Sequence, residues 1–337
     1  GLPPGLPPGV RGYLRGLPPG LPPPVLPDTI IVSGDIRIPN CELCGETAPY
    51  HIHIPKCAGY TFMAWVKQSL NFSLGMSEHC VVGLQHLAGS DSRKRPFFSI
   101  LFRNPATQIV SQFMECRYDT WGINRTRGTE FPRGGEDVED FATWLHHFAS
   151  MPNGRGEKRS YEEAYNAAYG CYDPRNMQRR YLTCVRSVGQ SSPFPHFDMG
   201  DFLPLDTAVM LVEQLDFVGV KEMLREGLCV YAALLGRKLP LYCDCDDHVH
   251  PVPAVSHLHH IPRYEWGLGN LTCTARTTAA AFIGEDAVLY NKALDRFLND
   301  LRRIEKERGM RIYCGELSYP QLFEALQARL PTGCPSS

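Results

Sequence analysis

Apolar and polar positions along the chain follow two alternating periods. Tyr50 to Ile54 reads as a short strand, and Thr61 to Leu70 places Phe62, Trp65, Val66 and Leu70 at helical spacing for one buried face. Phe97 to Phe102 is an apolar run of buried-strand type. Pro105 then suits a first helical turn, with the helix continuing through Phe113. "DFVGV", Asp216 to Val220, is a further buried strand, and the helix after it, Glu222 to Leu235, is closed by Gly236. The last long element is a helix from Asp286 to Arg308 with Leu289, Leu294, Phe297, Leu301 and Ile304 as its inner stripe. Repeated strand-then-helix units predict an α/β fold in three layers, a central parallel sheet flanked by helices.

Three stretches stand apart from this rhythm. Residues 1–27 are built largely of Gly-Leu-Pro-Pro units, whose four-residue period does not fit the Gly-X-Y register of collagen. They read as a Pro/Gly-rich stem or linker, reaching up to about 80 Å as polyproline II. Residues 28–330 then form the folded domain, and 331–337 a tail. Within the domain, the stretch at about 116–171 is rich in Gly, Arg and acidic residues ("NRTRGTEFPRGGEDVEDF") and reads as a loop insertion.

Composition narrows the class. Of 337 residues, 43% are hydrophobic and 21% charged, which suits a folded globular chain. The net charge of −2 argues against a nucleic-acid binder, so any anion site must be local. No apolar run reaches the 18 residues of a membrane span; a membrane anchor, if the protein has one, is expected outside this chain. Thirteen cysteines, several in loop contexts, favour an oxidising compartment, as do the sequons at Asn71, Asn124 and Asn270. An odd cysteine count leaves at least one thiol over, and Cys57 is the candidate.

The chemistry begins at "YHIHIPKCAGYTF", residues 50–62. A strand, a tight turn and a helix N-terminus present unpaired N–H groups and the positive end of the helix dipole, which suits a phosphate or sulfate. Lys56 adds a full charge, Gly59 a close backbone approach and Thr61 a hydroxyl. The spacing is not that of a Walker A loop, which makes a nucleotide kinase a poor reading. In "FFSILFRNPATQIVSQF", residues 97–113, Arg103 ends a buried strand, where open parallel sheets bind ligands. Ser111 follows two helical turns later, so the two suit a second anion.

Together these stretches resemble the sulfotransferases that use 3′-phosphoadenosine 5′-phosphosulfate (PAPS), particularly the Golgi carbohydrate type that includes the heparan-sulfate 2-O and 6-O enzymes. "HIPKCAGYTF", residues 53–62, resembles the family's 5′-phosphosulfate loop, implying that Lys56, Cys57, Ala58, Gly59, Tyr60 and Thr61 hold the 5′-phosphate and bridging oxygen. "RNPATQIVSQF" is similar to its 3′-phosphate site, implying Arg103 and Ser111. "NMQRRYL", 176–182, and "DFVGVKEML", 216–224, resemble later segments of the same enzymes. Tyr60 and Asn104 depart from the pattern, which usually has a small hydroxyl residue and an acid there.

The resemblance implies a P-loop-like sulfotransferase fold and in-line sulfuryl transfer from PAPS to a hydroxyl of a carbohydrate, possible anionic glycans included, without a metal. It implies a type II membrane protein of the Golgi lumen, with Lys56 and His86 in catalytic roles. His51 and His53, on the strand leading into the loop, read more readily as satisfied structural histidines than as lining the site, and Glu78 and His79 are outside candidates for the base. A small-alcohol or protein-tyrosine sulfotransferase and a catalytically silent glycan-binding relative are the alternatives. Ten basic residues between Arg93 and Arg180 are candidates to steer an anionic glycan. The Cys/His-rich stretch 242–260 and Cys41-x2-Cys44 suit disulfides, a polar loop or, less readily, zinc.

Overall fold

Four short strands pair in parallel in the computed structural model, which describes residues 49–77, 97–127, 131–150, 171–183, 203–246 and 264–329. They are β1 (Tyr50–Ile52), β2 (Gly75–Ser77), β3 (Phe98–Phe102) and β4 (Phe217–Val220), in the spatial order β2-β1-β3-β4. Every residue of β1, β3 and β4 is buried, as expected of a parallel sheet covered on both faces. The expected α/β architecture of a parallel sheet between helices is therefore present. β2 was not legible in the sequence: it is a three-residue edge strand with no alternation long enough to read.

Helices cover the sheet. α1 (Gly59–Leu70) buries Phe62 and Val66, one turn apart, and Trp65 and Leu70 pack at the margin. The Phe62 ring stacks on Phe217 of β4 at 5.7 Å, and Tyr231 meets both rings edge-on. α2 (Pro105–Tyr118) begins where β3 ends, capped by the Asn104 side chain, which accepts the Ala106 N–H. It runs five residues beyond the expected end, because Met114 and Cys116 continue its buried side.

The region expected to be a loop insertion carries two helices, α3 (Thr120–Arg125) and α4 (Asp137–Ser150). α4 buries Phe141, Trp144, Leu145 and Phe148 at helical spacing. The acidic and glycine-rich run before it obscured that stripe. A disulfide joins Cys116 to Cys171 and so closes the two ends of this stretch on each other.

α5 (Met177–Thr183), α6 (Leu205–Gln214) and α7 (Leu224–Leu234) follow, the last preceded by a 3-10 turn over Lys221–Met223. α8 (Cys273–Arg308) is the long C-terminal helix, followed by α9 (Tyr319–Leu326). Its expected inner stripe is buried throughout, and it ends at Gly309 in the left-handed conformation. It starts 13 residues earlier than the sequence suggested. The added turns bury Ala275, Ala279 and Ile283, a face of mostly small residues that gives little hydropathy signal.

Disulfides also join Cys229 to Cys243 and Cys245 to Cys314. Two sulfurs of the Cys/His-rich stretch are thereby removed from any metal; its remaining residues from 247 lie outside the described ones. Cys57 is the free thiol among the described residues, as expected. Asn71, Asn124 and Asn270 are exposed, as glycan acceptors must be. No helix among the described residues is long and apolar enough to cross a membrane.

Candidate functional site

The chain leaves β1 to form β2 on one side, then crosses to β3 on the other. The carboxyl ends of β1 and β3 therefore flank the point where strand order reverses, the position at which open α/β sheets bind ligands. The loop after β1 carries Lys56, and the residue after β3 is Arg103.

The loop is tightly turned. The Cys57 N–H donates to the Ile54 carbonyl at 3.2 Å, and Lys56 and Ala58 both adopt the left-handed conformation, with φ 65° and 69°. A left-handed residue followed by helix makes a concave run of N–H groups suited to an anion. Ala58 also precedes α1 without a side-chain cap, so the backbone alone presents the first-turn donors.

Gly59 serves close packing. A Cβ there would lie 2.5 Å from Nδ1 of His53 and 3.1 Å from Nε2 of His51. Both histidines are buried, His51 in a 3.1 Å hydrogen bond between Nδ1 and the Ser99 hydroxyl. Burial and the nearby His53 push the His51 imidazole down to about 3, so it stays neutral. His51 is thus a core residue, whereas Tyr60 is 42% exposed, with its ring 4.7 Å from that of His53.

Arg103 braces the same loop. Its Nη1 donates to the Lys56 carbonyl at 3.0 Å and its Nε to the Thr107 hydroxyl at 3.0 Å, while Nη2 has no partner among the described residues. Its own main chain is clamped by Gln178, which accepts the Arg103 N–H at 3.2 Å and donates to the Arg103 carbonyl at 2.8 Å. Gln178 is held in turn by Asp286, which accepts the N–H groups of Gln178 and Arg179 at 3.0 and 2.8 Å. The "NMQRRYL" segment thus supports the arginine directly.

α2 faces the loop with polar side chains. Gln108 donates to the Pro55 carbonyl at 3.0 Å and to Cys57 Sγ at 3.3 Å, and seven residues on Glu115 forms an ion pair with Lys56. Ser111 lies between them, buried, with its hydroxyl unpartnered among the described residues. Asn104, beyond capping α2, donates its N–H to Glu222 at 2.9 Å.

Of the expected site residues, the structure brings Lys56 to Thr61, Arg103 and Ser111 to one end of the sheet. Glu78, His79 and His86 lie outside the described residues. Several arginines expected to steer a glycan are occupied: Arg117 by Asp137 and Asp140, Arg175 and Arg180 by Asp173, and Arg179 by Glu285. Sequence reasoning missed Glu115, Gln108 and Gln178, whose only sequence signal is polar residues at helical spacing in otherwise apolar surroundings. It missed Lys221 as well.

Fold and site together define an α/β protein with a tight loop, a helix N-terminus, Lys56 and Arg103 gathered at the switch point of a parallel sheet. No protein-family model, curated protein or solved structure matches the chain.

Proposed function

We propose that the protein is a PAPS-dependent sulfotransferase that transfers a sulfuryl group to a hydroxyl of a carbohydrate acceptor. The observation that carries this reading is the meeting of Lys56 and Arg103 at the carboxyl ends of β1 and β3, joined by the bond from Arg103 to the Lys56 carbonyl. The P-loop-like sulfotransferase fold belongs to the same proposal.

In this reading the sulfur–oxygen bond to the 5′-phosphate breaks as a bond from the acceptor oxygen forms, and the acceptor proton passes to a base, for which His86 is the candidate. Lys56 and the first-turn N–H groups of α1 neutralise charge growing on the leaving oxygen. Arg103 and the Ser111 hydroxyl bind the 3′-phosphate and orient the donor. The disulfides support the further proposal of a secretory, Golgi-lumen location, where such bonds persist.

One observation favours a silent glycan-binding relative: Lys56 is already paired with Glu115. Calorimetric titration with adenosine 3′,5′-bisphosphate, beside transfer of sulfate from PAPS to a panel of glycans, small alcohols and tyrosine peptides, separates the readings. Binding that Lys56→Ala weakens at least tenfold, with turnover on a glycan, supports the proposal. Binding without turnover on any acceptor supports the silent relative, and no binding by the folded chain overturns both the donor and the enzyme. Because Arg103 also braces the loop, Arg103→Ala is compared on two ligands. Selective loss of the 3′,5′-bisphosphate over adenosine 5′-monophosphate marks a 3′-phosphate contact, whereas equal loss marks a brace alone.

A further inference from the structure

The last paired residues of β3 and β4 are Phe102 and Val220. The next residue of each strand, Arg103 and Lys221, therefore leaves the sheet beside the other. One step further the chains are tied again, where the Asn104 N–H donates to Glu222. Both oxygens of that carboxylate are engaged by neutral donors, Oε1 by Asn104 and Oε2 by the Tyr290 hydroxyl at 3.1 Å. Glu115 is taken by Lys56. Lys221, partly buried, has no ion pair or hydrogen bond among the described residues. Burial, followed by the charge of Arg103, lowers its pKa, while the Glu222 carboxylate acts in the opposite direction. The neighbouring Cys57 thiol adds no negative charge, since burial pushes its pKa far up.

Two cations with no ion pair among the described residues thus stand together at the strand ends, Arg103 with an Nη2 uncommitted among those residues and Lys221 with its ammonium. We propose that Lys221 is a third cation of the ligand site, and that with Arg103 it holds a terminal phosphate monoester as the dianion. The inference rests on the sulfotransferase reading of the site and names a residue that determines specificity within it. A sulfate ester or phosphodiester carries one negative charge, whereas a phosphate monoester approaches two above its second pKa near 6. Its three terminal oxygens match the donors that remain on the two side chains.

The test is titration of the full chain with adenosine 3′,5′-bisphosphate, adenosine 5′-monophosphate and inorganic phosphate, comparing Lys221→Gln, Lys221→Met and Lys221→Arg with Lys56→Ala. Thermal unfolding confirms that each variant is folded. The expected result is a tenfold or greater loss for the 3′,5′-bisphosphate in the Gln and Met variants, about 1.4 kcal/mol, with the 5′-monophosphate unchanged and the Arg variant close to the parent. Affinity of the parent should rise between about pH 5.5 and 7 as the phosphate loses its second proton, and this rise should be blunted in Lys221→Gln. Unchanged 3′,5′-bisphosphate binding in Lys221→Gln while Lys56→Ala abolishes it overturns the inference and leaves the sulfotransferase reading intact. Equal weakening of both nucleotides also overturns it. Binding of inorganic phosphate that depends on Lys221, with neither nucleotide bound, supports the dianion site and overturns the sulfotransferase reading. No binding of any probe overturns both.

Discussion

The ammonium of Lys56 and the carboxylate of Glu115 form a largely buried ion pair between the loop after β1 and the third turn of α2. The lysine that the sequence suggests for an incoming anion is therefore held by an internal one. Such a pair contributes little net stability while intact, yet removing one member strands the other charge. Glu115→Gln is expected to cost the unliganded protein about 3 kcal/mol. It should also increase the rise in melting temperature produced by adenosine 3′,5′-bisphosphate, because the ligand replaces the lost counter-charge. Thermal unfolding with and without ligand measures both; an unchanged ligand shift would mean that Lys56 does not face the ligand.

Replacing the whole pair should separate folding from binding. The double variant Lys56→Met with Glu115→Leu is expected to regain most of the stability lost in Lys56→Met alone, since an apolar pair replaces a desolvated ionic one. It should not regain ligand affinity. Denaturant unfolding and calorimetry on the two variants check this.

Gly59→Ala drives a Cβ into the ring of His53. The start of α1 must move, at a cost of roughly 1–3 kcal/mol, and the anion cradle moves with it. The second-site change His53→Ala should relieve the clash and recover part of the stability. Failure of that rescue would mean that the glycine is required for some other reason.

Two buried groups give opposite pH dependences. The His51 imidazole is pushed down to about 3, so between roughly pH 6.5 and 3 the unfolded chain holds a proton that the native chain refuses, and acidification removes stability across that window. Burial pushes the Asp286 carboxyl up to about 7, against the donated N–H groups of Arg179 and Gln178. Between about pH 4 and 7 the native chain holds the extra proton, and stability from this group falls as pH rises. The stability of Asp286→Asn relative to the parent should therefore increase from pH 4 to 7, by at most about 1.4 kcal/mol per pH unit. Denaturant midpoints across that range decide it, and a flat difference would rule out the buried titration.

The disulfide between Cys116 and Cys171 closes a long loop, with a sequence separation of 55. In the chain-entropy account such a loop is worth about 4 kcal/mol. Cys116→Ser with Cys171→Ser should lower the melting temperature sharply. In the native parent, Cys57 should resist alkylation, being buried with a raised pKa, and should react only after unfolding.

The sequence by itself determined the strand-and-helix alternation, and with it the parallel sheet. Apolar runs such as Phe98–Phe102 are too continuous for a half-exposed strand, and the helices between them carry their stripes in plain view. It also determined that Lys56 and Arg103 follow strands, Arg103 directly after an apolar run and Lys56 shortly after the strand-like Tyr50–Ile54. Cys57 as a thiol left over was legible too, from an odd count and its place in the loop motif.

Only the tertiary structure decided what those charges meet. The order β2-β1-β3-β4 makes the ends of β1 and β3 neighbours, and no local pattern specifies which strands pair. The register of β3 against β4 sets Lys221 beside Arg103 across more than a hundred residues of chain. Glu115, Gln108 and Gln178 acquire their roles in the same way, through hydrogen bonds and an ion pair between segments far apart in sequence. Periodicity reports which face of an element is buried. It cannot report which partner buries it, because that follows from the packing of the whole chain.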